Sequence, residues 1–181
     1  MSLFTLKRKA PPLTVREVVL FALYGTLMYA TKVIMAALPN IHLVGMFIIL
    51  FTILHRAKAL IPIYIYVFLE GLFGGFTLWW IPYLYIWTIL FGVTMLLPKN
   101  LPDKYAAFIY PIICGLHGFA FGILFAPAQS ILFGLDFKGM IAWIIAGIPF
   151  DITHGVANTI AGALVLPLSK VLKKLLTTMQ I

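Results

Sequence analysis

Apolar residues fall into six continuous runs, at about 17–37, 41–54, 60–76, 82–98, 106–125 and 140–168, each bounded by Pro, Gly, Asn or charge. The runs do not alternate apolar with polar positions, so the pattern predicts helices and excludes a β-barrel. Run lengths suit bilayer crossings of ~20 residues, with two exceptions. The second run has 14 residues, which at the helical rise spans ~21 Å against a ~30 Å hydrocarbon core, so it must be short, tilted or sheltered by neighbours. The last run has 29 residues and contains Gly147, Pro149, Gly155 and Gly162. It predicts a kinked helix or one that extends past the bilayer. The expected fold is therefore an all-α membrane protein, a compact bundle of six transmembrane helices.

Composition agrees with this reading. Of 181 residues, 63% are apolar and 10% charged, with a mean hydropathy of +1.08, where soluble domains hold ~45–50% apolar and ~25% charged residues. Six spans use ~120 residues, leaving about 61 for tails and loops. A separate soluble domain is excluded, and residues 1–181 are expected to form one membrane domain with a basic tail over 1–16. The apolar stretch after Lys7, Arg8 and Lys9 is too long for a signal-peptide core and has no clear cleavage site, so it is read as a retained span. Cys114 is the only cysteine, which excludes an intrachain disulfide framework.

The net charge of +8 is distributed as a topology signal rather than as a nucleic-acid surface. With a cytoplasmic N-terminus, Lys7, Arg8, Lys9, Arg16, Arg56, Lys58, Lys99, Lys104, Lys170, Lys173 and Lys174 all fall inside. Only Lys138 falls in an outer loop, and Lys32 lies within the first span. Two basic termini on one side require an even number of crossings, so both termini are expected in the cytoplasm of a multi-pass membrane protein.

The sequence has no phosphate-binding loop, no His-Glu-x-x-His and no Gly-x-Ser-x-Gly. The chain therefore has no ATPase motif and lacks the minimal constellations of a zinc protease or serine hydrolase. Its halves do not match, which weakens a self-sufficient alternating-access carrier. No cofactor is expected.

Candidate chemistry lies in five ionisable residues within the spans: Lys32, Glu70, His117, Asp151 and His154. Charge in hydrocarbon costs ~2.5–3.5 kcal/mol even on insertion scales, so such groups face the bundle interior or a wet cavity and seek partners. Lys32 has two sensible partners, Glu70 and Asp151. Asp151, His154, Gly155 and Asn158 share one helical face, either as a packing seam or as a ligand-contacting stripe. His117 reads as a structural histidine.

The outer loops add a second signal. One contains Asn40 and His42, the next Trp79, Trp80 and Tyr83, and Trp143 begins the last span at the same face. Flat rings with polar edges suit a planar or amphipathic small molecule as well as an interfacial belt, and Trp87 is expected in the belt. The third outer loop, from Ala126 to Gly139, carries Gln129, Asp136 and Lys138 and has the length of a lid. On the first span, Ala22, Thr26 and Ala30 recur every four residues beside Gly25, a strip that permits close approach of another helix, from this bundle or a partner. Gly71 with Gly75, and Gly118 with Gly122, are expected to serve internal packing.

Together these residues resemble the substrate-binding S components of energy-coupling factor (ECF) vitamin transporters. The likeness covers nearly the whole chain: the basic start, six spans in under 200 residues, the run Leu38 to His42, the stretch Phe68 to Gly75 and Trp79-Trp80-Ile81-Pro82-Tyr83. It implies capture of a water-soluble vitamin at the outer face, with Lys32, Asn40, His42, Glu70, Trp79, Trp80, Tyr83, Gln129, Trp143, Asp151, His154 and Asn158 as candidate contacts. It further implies docking through Ala22, Thr26 and Ala30 on a transmembrane scaffold subunit served by two ATPases; Thr26 departs from the family's alanine strip. The cobalamin branch is the first choice of vitamin, with riboflavin, pantothenate and folate as alternatives. An intramembrane enzyme using Asp151, His154 and His117, or a ligand-free assembly subunit, are the competing classes.

Overall fold

The computed structural model describes residues 12–179; the basic residues Lys7, Arg8 and Lys9 lie outside them. Among the described residues there are eight α-helices and one 3-10 turn, and no strand. A capping box starts α1 (Val15–Ile34): Thr14 accepts from the Glu17 amide, and Glu17 reaches back to the Thr14 amide. Helix α2 (Val44–His55) ends at Arg56, which takes a positive φ of 53° and opens a 3-10 turn, Arg56–Ala59, leading into α3 (Leu60–Gly74). Then follow α4 (Tyr83–Met95), α5 (Asp103–Phe119), α6 (Phe121–Phe133), α7 (Phe137–Gly162) and α8 (Val165–Thr178).

Contacts between side chains fix the directions. Helix α1 meets α2 head to tail, with Phe21 against His55 and Tyr24 stacked on Phe51. It meets α3 in parallel register: Glu17 pairs with Lys58 just before α3, Gly25 lies against Pro62 and Ile65, and Lys32 pairs with Glu70. The chain therefore reverses at Arg56. Helix α4 reverses again, Tyr64 bonding to Leu84 and Thr88. Arg56 donates to the carbonyls of Met95 (2.6 Å) and Leu97 (3.4 Å), satisfying the open C-terminal end of α4 with positive charge. Helices α5 and α6 run on in one direction through a break at Ala120, and α7 returns along both.

The result is six antiparallel limbs, α1, α2, α3, α4, α5 with α6, and α7. Basic residues Arg16, Arg56, Lys58, Lys99 and Lys104 collect at one end. The tryptophans Trp79, Trp80 and Trp143 collect at the other. Four helical stretches, Val15–Ile34, Val44–Gly74, Asp103–Phe133 and Phe137–Gly162, are long and apolar enough to cross a bilayer; Tyr83–Met95 is apolar but shorter. Large apolar side chains such as Leu23, Phe108, Ile112, Ile145 and Ile160 stand exposed on the outer wall, as expected of a surface solvated by lipid.

The short second run is sheltered. Every residue from Val44 to Thr52 is buried, so α2 is wrapped by neighbours all round. Two expectations need correction. The last apolar run is not one helix: it breaks after Gly162, and α8 leads from the start of α5 to the start of α1, with Val165 and Ser169 buried, Lys170 bonded to Asp103, and Met179 O accepting from Arg16 (3.0 Å). The lid loop expected over Ala126–Gly139 is largely helical. Helix α6 carries on past Pro127, Gln129 and Ser130 to Phe133, and Gly134, with its left-handed φ of 65°, ends it. Only a short link then leads to Asp136, which caps α7 by accepting from the Gly139 amide at 2.7 Å.

The seam between α5 and α7 is the tightest in the molecule. A Cβ on Gly118 would lie 2.8 Å from Gly155 Cα, and one on Gly162 2.7 Å from Pro111 Cα. Replacing Gly118 with Ala should therefore destabilise the detergent-purified chain by ~1–3 kcal/mol through overpacking. In Gly92→Ala the new methyl meets nothing within 4 Å and should add about 0.5–1 kcal/mol of helix stability. Thermal unfolding followed by circular dichroism checks both; an unchanged midpoint for Gly118→Ala would contradict this register.

Candidate functional site

At the tryptophan-bearing end, between the α1–α2 turn, the approach to α4, the start of α6 and the first half of α7, lies a cleft of ≈ 410 Å³. Its walls are aromatic. Trp143 on α7 stacks on Phe125 of α6, centroids 5.7 Å apart and planes within 19°. Trp79 leans on Phe125 (5.6 Å) and Phe133 (6.0 Å). Tyr83, Phe121 and Phe150 complete the lining. Asn40 contributes the rim from the α1–α2 turn with φ 60°, a left-handed conformation that asparagine tolerates better than most residues.

Asp151 carries the negative charge of this cleft. Its Oδ1 accepts from the Gly122 amide at 3.0 Å, in the first turn of α6, where the helix dipole favours a carboxylate. A Cβ on Gly122 would come within 2.2 Å of Asp151 Oδ2, so a larger residue there would push the carboxylate out of this position.

Beside the cleft, and sharing Trp79 and Tyr83 with it, is a pit of ≈ 120 Å³ lined by Glu70, Thr77 and Trp80. The choice left open by the sequence, Glu70 or Asp151 as partner of Lys32, falls to Glu70. Lys32 Nζ also sits 5.3 Å from the centroid of the Tyr83 ring, within cation–π range. Glu70 Oε1 is buried and takes no hydrogen bond among the described residues. Trp80 borders this pit with its polar edge already committed, Nε1 donating to Val67 O at 2.7 Å.

The remaining candidates lie deeper or elsewhere. His154 and Asn158 share a face with Asp151 but sit beneath the cleft floor. His154 packs edge-on against His42 (4.7 Å) and Phe121 (4.8 Å). Asn158 is fully buried between Gly45 of α2 and Gly118 of α5. Of the polar stripe, Asp151 alone reaches the cleft; the rest forms part of the seam. Gln129 is buried within α6 rather than placed on a loop. His117 is buried, with Nε2 3.1 Å from Ile86 O. Trp87, expected in an interfacial belt, is 1% exposed and packs among His42, Tyr66, Tyr83, His117 and Phe121. On α1, Ala22 and Thr26 are exposed and Ala30 is half-buried, while Phe21, Tyr24, Gly25 and Met28 supply the buried face.

Phe121, Phe125 and Phe150 are lining residues that sequence reasoning missed. Phe121 and Phe125 stand four apart, a helical spacing, but they lay where one run was read as ending and a loop as beginning. A larger hollow, ≈ 550 Å³ along Met35, Ile41, Ile152, Val156 and Ile160, is almost wholly apolar and has no charged side chain in its lining among the described residues. It lacks the convergent polar groups of a ligand site. No group of three or more metal-ligating side chains occurs among the described residues.

Compared with protein-family models, curated proteins and solved structures, the chain matches none.

The Lys32–Glu70 pair gives a direct test of this geometry. Lys32→Met leaves Glu70, 11% exposed, without its counter-charge and should cost about 1–2 kcal/mol, below the full penalty of a buried pair because Lys32 is partly solvated. Lys32→Met combined with Glu70→Gln should recover most of that loss in unfolding midpoint. Equal losses in the single and double variants would mean that the two groups are not coupled.

Proposed function

We propose that this chain is the substrate-capturing membrane subunit of an ECF-type importer. In this reading all six antiparallel limbs cross the bilayer, the basic end lies in the cytoplasm in accord with the positive-inside rule, and the tryptophan-bearing end faces out. The short α4 and the enclosed α2 cross with the help of neighbouring helices, which thin or shield the lipid around them.

The observation that carries this reading is the aromatic cleft with its single carboxylate at the end opposite the basic residues. A cup at the outer end suits capture of a dilute solute from outside. The absent phosphate-binding loop leaves the energy to partners, as in the ECF division of labour among S component, scaffold subunit and two ATPases. The strip of Ala22, Thr26 and Ala30, turned away from the buried face of α1, is the proposed docking surface for the scaffold.

The solute is a water-soluble vitamin. A cleft of ≈ 410 Å³ lies in the lower part of the ~300–1,000 Å³ range of small-ligand sites. It suits a one- or two-ring vitamin; cobalamin, the first choice on sequence resemblance, is several times larger and would require the cleft to widen.

The deciding experiment expresses the chain with a scaffold and its ATPases in vitamin auxotrophs, alongside mass spectrometry of small molecules retained by the purified chain. Trp79→Ala and Trp143→Ala should weaken retention about tenfold or more by removing a stacking wall. Ala22→Trp with Ala30→Trp should leave retention unchanged and abolish uptake. Uptake that survives the tryptophan pair, or accumulation in cells without coupling ATPases, would overturn the assignment.

A further inference from the structure

The charge of the cleft narrows its ligand further, on the premise that this cleft is the capture site. Asp151 is the only charged side chain lining it among the described residues. One of its oxygens, Oδ1, is held by the Gly122 amide; Oδ2 takes no hydrogen bond and Asp151 no salt bridge among the described residues. The nearby lysine does not supply the missing positive charge, because Lys32 is paired directly with Glu70 beside the Tyr83 ring. In a chain of net charge +8, this leaves an isolated negative centre within an aromatic enclosure.

Around it stand the rings of Trp79, Tyr83, Phe121, Phe125 and Trp143. Ring faces carry partial negative charge and attract cations most strongly where water is displaced. A ligand carboxylate would meet Asp151 as a like charge, and a neutral ligand would leave that charge buried without a counter-ion. A flat cation satisfies both features at once.

We propose that the cleft binds a planar heteroaromatic cation, its ring between the aromatic walls and its positive charge against Asp151 Oδ2. The Gly122 amide fixes the carboxylate in place, so the negative centre is organised before the ligand arrives.

Three forms of one ring test this: nicotinamide, which is neutral, nicotinate, which is an anion, and the N-methylated pyridinium form of nicotinamide, which is a cation. Equilibrium dialysis against the full chain in detergent should give the pyridinium at least about tenfold tighter binding than nicotinamide, with nicotinate weakest. Asp151→Asn keeps an acceptor for the Gly122 amide and should erase the preference for the cation. Binding of nicotinamide as tight as that of the pyridinium, or a preference unchanged in Asp151→Asn, overturns the proposal. The two readings fail separately. If the charge preference is absent while retention of a vitamin still depends on Trp79 and Trp143, only the cationic assignment falls. If the pyridinium binds in an Asp151-dependent way but uptake needs no ATPase, the cationic site stands and the importer reading falls.

Discussion

The close approach of α7 to α5 and α6 is the constraint on which the candidate site depends. Where Gly118 faces Gly155 and Gly162 faces Pro111 there is no room for a side chain, so the two limbs press together along their length and their register is locked. That register carries outward one helical turn after another. It brings Asp151 to the first turn of α6, where the Gly122 amide meets Oδ1, and Trp143 onto Phe125. A slip of one residue would rotate Asp151 by roughly a hundred degrees about its helix, away from both partners. The cleft is thus a consequence of backbone packing about one to three turns below it.

A second constraint is the treatment of polar groups in an apolar bundle. Lys32 and Glu70 neutralise each other, and the hydroxyls of Thr52 and Thr94 return to carbonyls one turn back, at 2.6 and 2.8 Å. Arg56 spends its guanidinium on the end of α4. Several buried polar atoms, among them Glu70 Oε1, His154 Nε2 and both polar atoms of the Asn158 amide, take no hydrogen bond among the described residues; Asp151 differs from them in holding its spare oxygen at the edge of a cleft. Spare hydrogen-bonding capacity serves a ligand only where a cleft exposes it.

The two ends of the bundle divide the proposed labour. Charged contacts at the basic end tie α8 to the starts of α1 and α5, through Arg16 with Met179 and Lys170 with Asp103. Lys170 and Asp103 are both more than half exposed, so their bridge contributes little stability by itself. At the opposite end aromatic packing dominates, and Trp79 remains 54% exposed at the mouth of both hollows. The small-residue strip of α1 lies apart from that cleft, which leaves different surfaces for the proposed ligand capture and the proposed docking.

Much of the architecture was legible in the amino-acid order. Hydropathy along the chain gave the helical limbs, and the clustering of Lys and Arg separated one end from the other, because both are local properties of a segment. The short second limb was recognisable as needing shelter, Lys32, Glu70 and Asp151 as the wrong residues for lipid, and Trp79, Tyr83 and Trp143 as outer-face rings suited to a pocket or to an interfacial belt. Which of them meet was not legible. The pairing of Lys32 with Glu70, the withdrawal of His154 and Asn158 into the seam, the burial of Trp87 and the arrival of Phe121 and Phe125 at the cleft all depend on helix rotation and register. Those are set by contacts between residues far apart in sequence, chiefly the absence of side chains at facing glycines, and only the tertiary structure brings such positions together.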